Sequence, residues 1–108
     1  MNSVLDPGWE PLRQTPPFPA YPSGHAVLGS AVAAALTALY GPLAFTDRYG
    51  VQYDMRARHY TSFEAASYEN AISRLYAGVH YRVDMENGMR QGRCVGDNAV
   101  TRLLNPAP

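Results

Sequence analysis

Twenty consecutive residues, Ala26 to Phe45, carry no charged side chain. A run of this length either crosses a membrane as a helix or forms a helix that is buried in a protein core. Seven of its residues are alanine, and Gly41-Pro42 would end a helix before the run is complete. We therefore predict a buried helix over Ala26–Tyr40 and no membrane span.

The first 24 residues differ in composition from the rest of the chain. They hold six of the nine prolines, so we expect an extended or irregular segment over residues 1–24. A segment of this length without secondary structure is unusual in a compact domain. We expect it either to wrap over a partner surface or to connect to elements that precede this sequence.

A second helix is predicted after a polar loop over residues 45–60. Thr61 and Glu64 have the spacing of a capping box, which makes Thr61 the expected N-cap. The helix should run to Tyr76 or Ala77, because Gly78 is a natural stop.

A third helix is expected from Val83 or Asp84 to about Leu104. Its glycines at positions 88, 92 and 96 recur every four residues and form a stripe along one face. Each glycine costs about 1 kcal/mol of helix propensity relative to alanine, and close packing against a neighbouring helix would offset that cost. No strand is predicted, so the expected fold class is all-α, a helical bundle.

Charge and cysteine content exclude several functions. Nine basic residues, all of them arginine, balance nine acidic residues, which argues against nonspecific binding to nucleic acid or acidic membranes. Because the chain has no lysine, arginine must supply any fixed cation, and its planar guanidinium suits a tetrahedral oxyanion. Cys94 is the only cysteine, so an intrachain disulfide is excluded, and we expect Cys94 to be a small buried apolar residue.

Ser23, Gly24 and His25 lie where the proline-rich segment meets the first predicted helix. The unpaired N–H groups and the dipole of a helix N-terminus attract an anion, and Gly24 lets a ligand approach the backbone. Ser23 adds a hydroxyl donor, and His25 can exchange protons near neutral pH. The alternative is a capping serine followed by a surface histidine.

Arg74, His80 and Asp84 form a second group of candidate site residues. On one continuous helix Arg74 and His80 would point in different directions, so they can share a site only if the helix ends between them, as Gly78 predicts. Asp84 could then reach the imidazole of His80 and fix its tautomer. The alternative is an ordinary ion pair of Arg74 with a nearby acid, together with a capping role for Asp84. The acids within reach would be Glu69 and Glu86.

The combined donors suit a tetrahedral or trigonal-bipyramidal oxyanion. The chain has no Gly-x-Ser-x-Gly elbow, which argues against a serine hydrolase. His25, His59 and His80 match no zinc-ligand spacing on a helix, so zinc is not expected. His59 is interpreted as a loop residue near the rim of the site.

Two sequence motifs carry a family resemblance. The first is PSGH, at Pro22–His25, and the second is SRxxxxxHxxxD, formed by Ser73, Arg74, His80 and Asp84. In this order and spacing they resemble the second and third motifs of the vanadium-dependent haloperoxidase and type 2 phosphatidic acid phosphatase superfamily. The resemblance covers about residues 14–100, and the flanking residues 16–21 and 58–63 look more like the haloperoxidases.

The resemblance implies a helical bundle in which His80 binds the vanadium of vanadate or, in acid phosphatase relatives, attacks phosphorus. His25 would act as the acid–base group, and Asp84 would orient His80. The groups that would hold the equatorial oxygens are Ser23, the Gly24 amide and Arg74. In the haloperoxidase version, hydrogen peroxide oxidises a halide while vanadate serves as a Lewis acid. In the phosphatase version, His80 carries a phosphohistidine.

The first motif of the superfamily, KxxxxxxRP, is absent from this sequence. In the family it lies upstream and supplies a lysine and a second arginine to the anion. We therefore expect residues 1–108 to be the C-terminal part of a larger catalytic domain. A missing N-terminal half or a homo-oligomer would then supply the absent cations. The remaining alternative is an inactive helical module that serves only oligomerisation.

Overall fold

The computed structural model describes residues 6–104, and three helices dominate it. The elements in chain order are α1 (Gly24–Tyr40), β1 (Phe45–Asp47), a 3-10 helix (Tyr49–Tyr53), β2 (Arg58–Tyr60), α2 (Phe63–Tyr76) and α3 (Arg82–Leu104). Residues 6–22 contain no helix or strand. The all-α, helical-bundle fold class is confirmed.

Helix α1 begins two residues earlier than predicted, because Ser23 is its N-cap. The Ser23 hydroxyl oxygen accepts a hydrogen bond from the Ala26 amide at 3.4 Å. At the other end, Gly41 adopts φ 76° and its amide donates to the Thr37 carbonyl, which ends the helix at the predicted position. Over residues 6–104, no helix has the length and apolarity needed to cross a bilayer.

A two-stranded antiparallel ribbon lies within the segment that was expected to be a loop, so the prediction of no strand was wrong. Phe45 pairs with Tyr60, and Thr46 pairs with His59. The Phe45 ring also packs against Tyr60 and Phe63, with centroids 5.3 Å apart in each pair. Strands of three residues are too short to show an alternating pattern of apolar and polar residues, which explains why the sequence did not indicate them.

Helix α2 is capped by Ser62 and not by Thr61, which corrects the predicted capping box. The Ser62 hydroxyl accepts from the Ala65 amide at 3.0 Å. Tyr60 is still paired in β2, so Thr61 lies in the connection that leaves the strand. The C-terminal end agrees with the prediction, because Gly78 adopts φ 80°, a conformation that favours glycine.

The glycine stripe of α3 packs against the backbone of α1, as its spacing predicted. A Cβ added at Gly88 would lie 2.9 Å from the Ser23 carbonyl oxygen, and one added at Gly96 would lie 2.6 Å from the Ala31 carbonyl oxygen. Gly92, between them, is also buried. The helices therefore approach too closely for any side chain along this line.

Cys94 is exposed, so the prediction that it is buried was wrong. The geometry of α3 gives the reason. Successive residues of an α-helix are rotated by about 100°, so residue 94 points about 200° away from residue 92. Because Gly92 faces α1, Cys94 faces away from it.

The apolar core of the described residues is small. Its buried hydrophobic members are Ala26, Ala33, Ala71, Ala77, Val79 and Met85. Large side chains such as Leu28 and Tyr76 remain mostly exposed, at 68% and 75%. The radius of gyration is 16.4 Å, compared with about 13 Å for a compact domain of this length. Much of the apolar surface of the helices is thus left without a partner among residues 6–104.

Candidate oxyanion site

Three helix ends meet where the two sequence motifs lie: the N-terminus of α1, the C-terminus of α2 and the N-terminus of α3. The Ser23 amide donates to the Asp84 carbonyl at 3.0 Å, which joins α1 to α3. The Asn70 side-chain amide donates to the His25 carbonyl at 3.3 Å, which joins α1 to α2. These two hydrogen bonds fix the first turn of α1 relative to both neighbours.

Gly24 leaves open space in front of the first turn of α1. A Cβ built at Gly24 would have no atom within 4 Å, so the backbone there is accessible to a ligand. Ser23 is fully buried and caps the helix, so the capping interpretation holds for its local role. A contact between the Ser23 hydroxyl and an anion stays a prediction.

Arg74 extends from the last turn of α2 and is half-buried. Its Nε is buried and has no hydrogen-bond partner among the described residues. The expected ion pair of the alternative interpretation does not form there, because Glu69 pairs with Arg58 and no described acid pairs with Arg74. A buried N–H donor without a partner is costly, and a bound acceptor would remove that cost.

His80 and Asp84 lie side by side and are both buried. The His80 Nδ1 and Asp84 Oδ2 atoms are 3.5 Å apart, which is longer than a well-formed hydrogen bond. Asp84 Oδ2 accepts instead from the Tyr81 amide at 2.9 Å, where it serves as a cap at the start of α3. Asp84 therefore combines the capping role with a position next to His80, and its orienting function stays a prediction.

His25 shares its electrostatic environment with Arg74 and His80. Its side chain is exposed, yet the pKa of His25 is lowered from 6.5, first by partial desolvation and then by the nearby charges of Arg74 and His80. The contact of Asn70 with the His25 carbonyl and the hydrogen bond from the Val79 amide to the Arg74 carbonyl place these three residues at the same end of the bundle. The lowered pKa favours the neutral form of His25, which can accept a proton.

His59 is not part of this cluster. It lies exposed on β2, where its Nδ1 forms a 2.8 Å hydrogen bond with the Thr46 hydroxyl. Within residues 6–104 there is also no group of three His, Cys, Asp or Glu side chains that could hold a metal cation.

Two further arginines near the site were missed by the sequence analysis. A cleft of about 890 Å³ runs beside Arg74 and is also lined by Arg13 and Arg58. Arg58 is paired with Glu69. Arg13 lies in the proline-rich segment, and its backbone amide donates a hydrogen bond to the Ala77 carbonyl at 3.3 Å. No motif marks Arg13, and only the folded chain brings it close to the end of α2.

A helical bundle that gathers these two motifs at converging helix ends has the arrangement expected of the vanadium haloperoxidase and acid phosphatase class. A family model described as the VCPO second helical-bundle domain matches residues 1–107. The chain therefore belongs to that family, within the vanadium haloperoxidase superfamily, as the motifs indicated.

Two known proteins are similar to the chain. A vanadium chloroperoxidase of Curvularia inaequalis is 32% identical, in an alignment that covers 64% of this chain and 17% of that protein. The crystal structure of the first bacterial vanadium-dependent iodoperoxidase is 44% identical with a TM-score of 0.88, and the match covers 94% of this chain and 25% of that one. The chain thus spans a quarter or less of the length of these relatives.

Proposed function

We propose that this chain carries the oxyanion-binding part of a vanadium-dependent haloperoxidase, which oxidises a halide with hydrogen peroxide. The observation that carries the proposal is the buried, unpartnered Nε of Arg74, which lies in the same electrostatic environment as His25 and His80. A guanidinium N–H without a counter-ion beside two imidazoles is suited to an anion.

The described donors fit vanadate better than a bare metal cation. A metal cation needs several carboxylate, thiolate or imidazole ligands, and residues 6–104 hold no such group. Vanadate is an oxyanion, so it needs N–H donors for its oxygens and one imidazole for vanadium. Gly24 with its open approach, Arg74 and His80 are of these types.

Each residue of the chain has one task in this proposal. The first amides of α1 and the guanidinium of Arg74 would bind the oxygens of vanadate, and Ser23 would add its hydroxyl. His80 would offer Nε2, because its Nδ1 faces Asp84. His25 would take up the proton that peroxide loses and return it to the leaving oxygen. When bound, vanadate supplies Lewis acidity that polarises the peroxide O–O bond.

We also propose that residues 1–108 are the C-terminal part of a larger catalytic domain. The small core and the exposed apolar side chains of α1 support this, as does the chain's 17% and 25% share of its relatives. Arg58 is paired with Glu69, so Arg74 and Arg13 would only partly neutralise a trianion, and an upstream lysine and arginine are expected to complete the site.

The test compares vanadate binding with catalysis. We expect orthovanadate to bind the 108-residue chain weakly, with a 51V NMR signal that broadens on titration. Arg74→Ala and His80→Ala should abolish this broadening, whereas Arg102→Ala, in the last turn of α3, should leave it unchanged. The larger protein should oxidise bromide or iodide with peroxide only when vanadate is present.

The alternative is an acid phosphatase that works through a phosphohistidine at His80. Two results would favour this alternative over the haloperoxidase proposal. The protein would release p-nitrophenol from p-nitrophenyl phosphate without vanadate, and the His80→Ala variant would lose this activity. If vanadate binding is the same in His80→Ala and the unmodified chain, both enzyme proposals fail, and the helical oligomerisation module remains.

A further inference from the structure

The proline-rich segment crosses the turn that precedes His80. A Cβ placed on Gly78 would lie 2.8 Å from Cη2 and 2.9 Å from Cζ2 of Trp9, and 3.2 Å from the α-carbon of Pro11. The edge of the Trp9 indole therefore rests directly on the backbone of Gly78. No residue with a side chain could occupy position 78 without displacing the ring.

Hydrogen bonds fix the segment on both sides of this contact. The Trp9 amide donates to the Asp6 carbonyl at 3.1 Å, and the Gly8 amide donates to the Asp6 carboxylate at 3.0 Å, which closes a local turn before the indole. The Arg13 amide then donates to the Ala77 carbonyl at 3.3 Å. Trp9 is thus held against Gly78 from two directions.

Backbone hydrogen bonds also tie the turn to α2. The amides of Gly78 and Val79 donate back to the last turn of α2, at 3.0 and 3.3 Å. Beside the indole lies a cavity of about 230 Å³, which Trp9, Gly78 and Val79 help to line. Without the indole this cavity would widen, and the backbone immediately before His80 would lose its packing on that side.

We propose that Trp9 is a positioning residue for His80. The indole holds the Gly78–Val79 turn in place, so that the His80 ring keeps its position near His25 and Arg74. Trp9 itself touches no anion in this proposal. The expected effect of Trp9 on anion binding rests on the proposed oxyanion site. The expected effect of Trp9 on the position of the His80 ring does not require an anion.

The experiment uses the 108-residue chain with the variants Trp9→Ala and Trp9→Phe, and with Leu12→Ala as a control. Leu12 lies in the same segment and is 82% exposed. Two quantities are measured: the imidazole 15N chemical shifts of His80 without anion, and the dissociation constant for inorganic phosphate by calorimetry. Circular dichroism reports whether each variant keeps its helices.

We expect Trp9→Ala to move the His80 resonances and to weaken phosphate binding by about 10- to 100-fold, the usual range for losing a residue that orients a ligand. Trp9→Phe keeps an aromatic ring at this contact and should weaken phosphate binding less than Trp9→Ala does. Leu12→Ala should change neither quantity. Because Trp9 is the only tryptophan, phosphate binding to the unmodified chain should also shift its fluorescence, a readout that needs no variant.

The outcomes separate this inference from the proposed function. If Trp9→Ala keeps the His80 resonances and the affinity of the unmodified chain, or if Leu12→Ala matches Trp9→Ala, the positioning role is wrong. Should Trp9→Ala unfold, two results together support the role: Trp9→Phe keeps the His80 resonances of the unmodified chain, and phosphate binding changes the Trp9 fluorescence of the unmodified chain. An unchanged fluorescence contradicts it. If the unmodified chain binds neither phosphate nor vanadate, the oxyanion site fails, while the His80 resonances still decide the role of Trp9.

Discussion

Helix α1 meets its two neighbours in different ways. Toward α3 the glycine stripe packs against the backbone of α1 and against the Cβ atoms of its small residues Ala26, Ser30 and Ala34. Toward α2 the contact is made by side chains, including a 3.2 Å hydrogen bond between the buried hydroxyls of Ser30 and Ser67. A groove of about 340 Å³ remains open between α1, α2 and the ribbon, from His25 to Phe63.

The difference suggests which parts of the candidate site are rigid. Ser23 and Asp84 lie at the end of the α1–α3 interface, where Gly88 packs directly on Ser23. Close backbone packing leaves no room for adjustment, so their relative position is fixed by the glycines. Arg74 belongs to α2, which meets α1 across the looser interface of side chains.

The largest expected effect is that of Gly92→Ala, which would break the rigid interface. The new Cβ would lie 2.9 Å from both the Ser30 Cβ and the Val27 carbonyl carbon, and the Val27 carbonyl oxygen would be closer still. The gain in helix propensity, about 1 kcal/mol, cannot offset such overpacking of backbone against backbone. We expect the free energy of unfolding in urea to fall by at least about 3 kcal/mol.

Gly24→Ala is the matched control for that measurement. Its Cβ would meet no atom within 4 Å, so its stability should stay within about 0.5 kcal/mol of the unmodified chain. A Gly92→Ala protein as stable as Gly24→Ala would mean that α1 and α3 do not pack as closely as described.

The α1–α3 interface was also the part of the fold that the sequence predicted best. Glycines four residues apart necessarily share a helix face, so close packing followed from spacing alone. The ribbon was missed because pairing of Thr46 with His59 depends on residues distant in sequence, and three-residue strands leave no periodic signal. The sequence could not distinguish Thr61 from Ser62 as the N-cap, because both carry a hydroxyl. Ser62 is the cap because Thr61 directly follows the last residue of β2.

An intermediate effect is expected where the looser interface is broken. Ser30→Ala would leave the Ser67 hydroxyl buried without its partner, which costs about 1–2 kcal/mol of the free energy of unfolding. The double variant Ser30→Ala with Ser67→Ala removes both polar groups and should recover most of this loss. Urea denaturation of the two single variants and the double variant gives the coupling energy. Losses that simply add would show that the two hydroxyls are not coupled.

A smaller effect is expected from Gly29→Ala, which places the same methyl group at the α1–α2 interface. The Cβ would lie 3.2 Å from the Ser67 hydroxyl and 3.3 Å from the Asn70 side-chain nitrogen, both at the ends of side chains that can shift. The gain in helix propensity roughly offsets this crowding, so the stability should change by less than about 0.5 kcal/mol. A loss as large as that of Gly92→Ala would show that both interfaces are rigid.

The candidate site was predictable in its residues but not in its surroundings. The motif spacing gave His25, Arg74 and His80 as candidates, and Gly78 indicated the helix end between the last two; their role stays a prediction. The contact of Trp9 with Gly78 and the approach of Arg13 to Ala77 depend on the path of a segment without secondary structure. No local pattern encodes such a path, because its contacts are with residues far along the chain.

The smallest expected effect on stability is the titration of His25, which lies in the first turn of α1. Its pKa is lowered from 6.5 by partial desolvation and by Arg74 and His80, so protonation favours the unfolded chain as pH falls below 6.5. Bound phosphate would supply negative charge and should raise the pKa of His25, so phosphate should bind more tightly as pH falls through that range. NMR titration with and without phosphate measures the pKa, with exposed His59 as the control that should not respond. A pKa of His25 that is unchanged by bound phosphate would place the anion away from the first turn of α1.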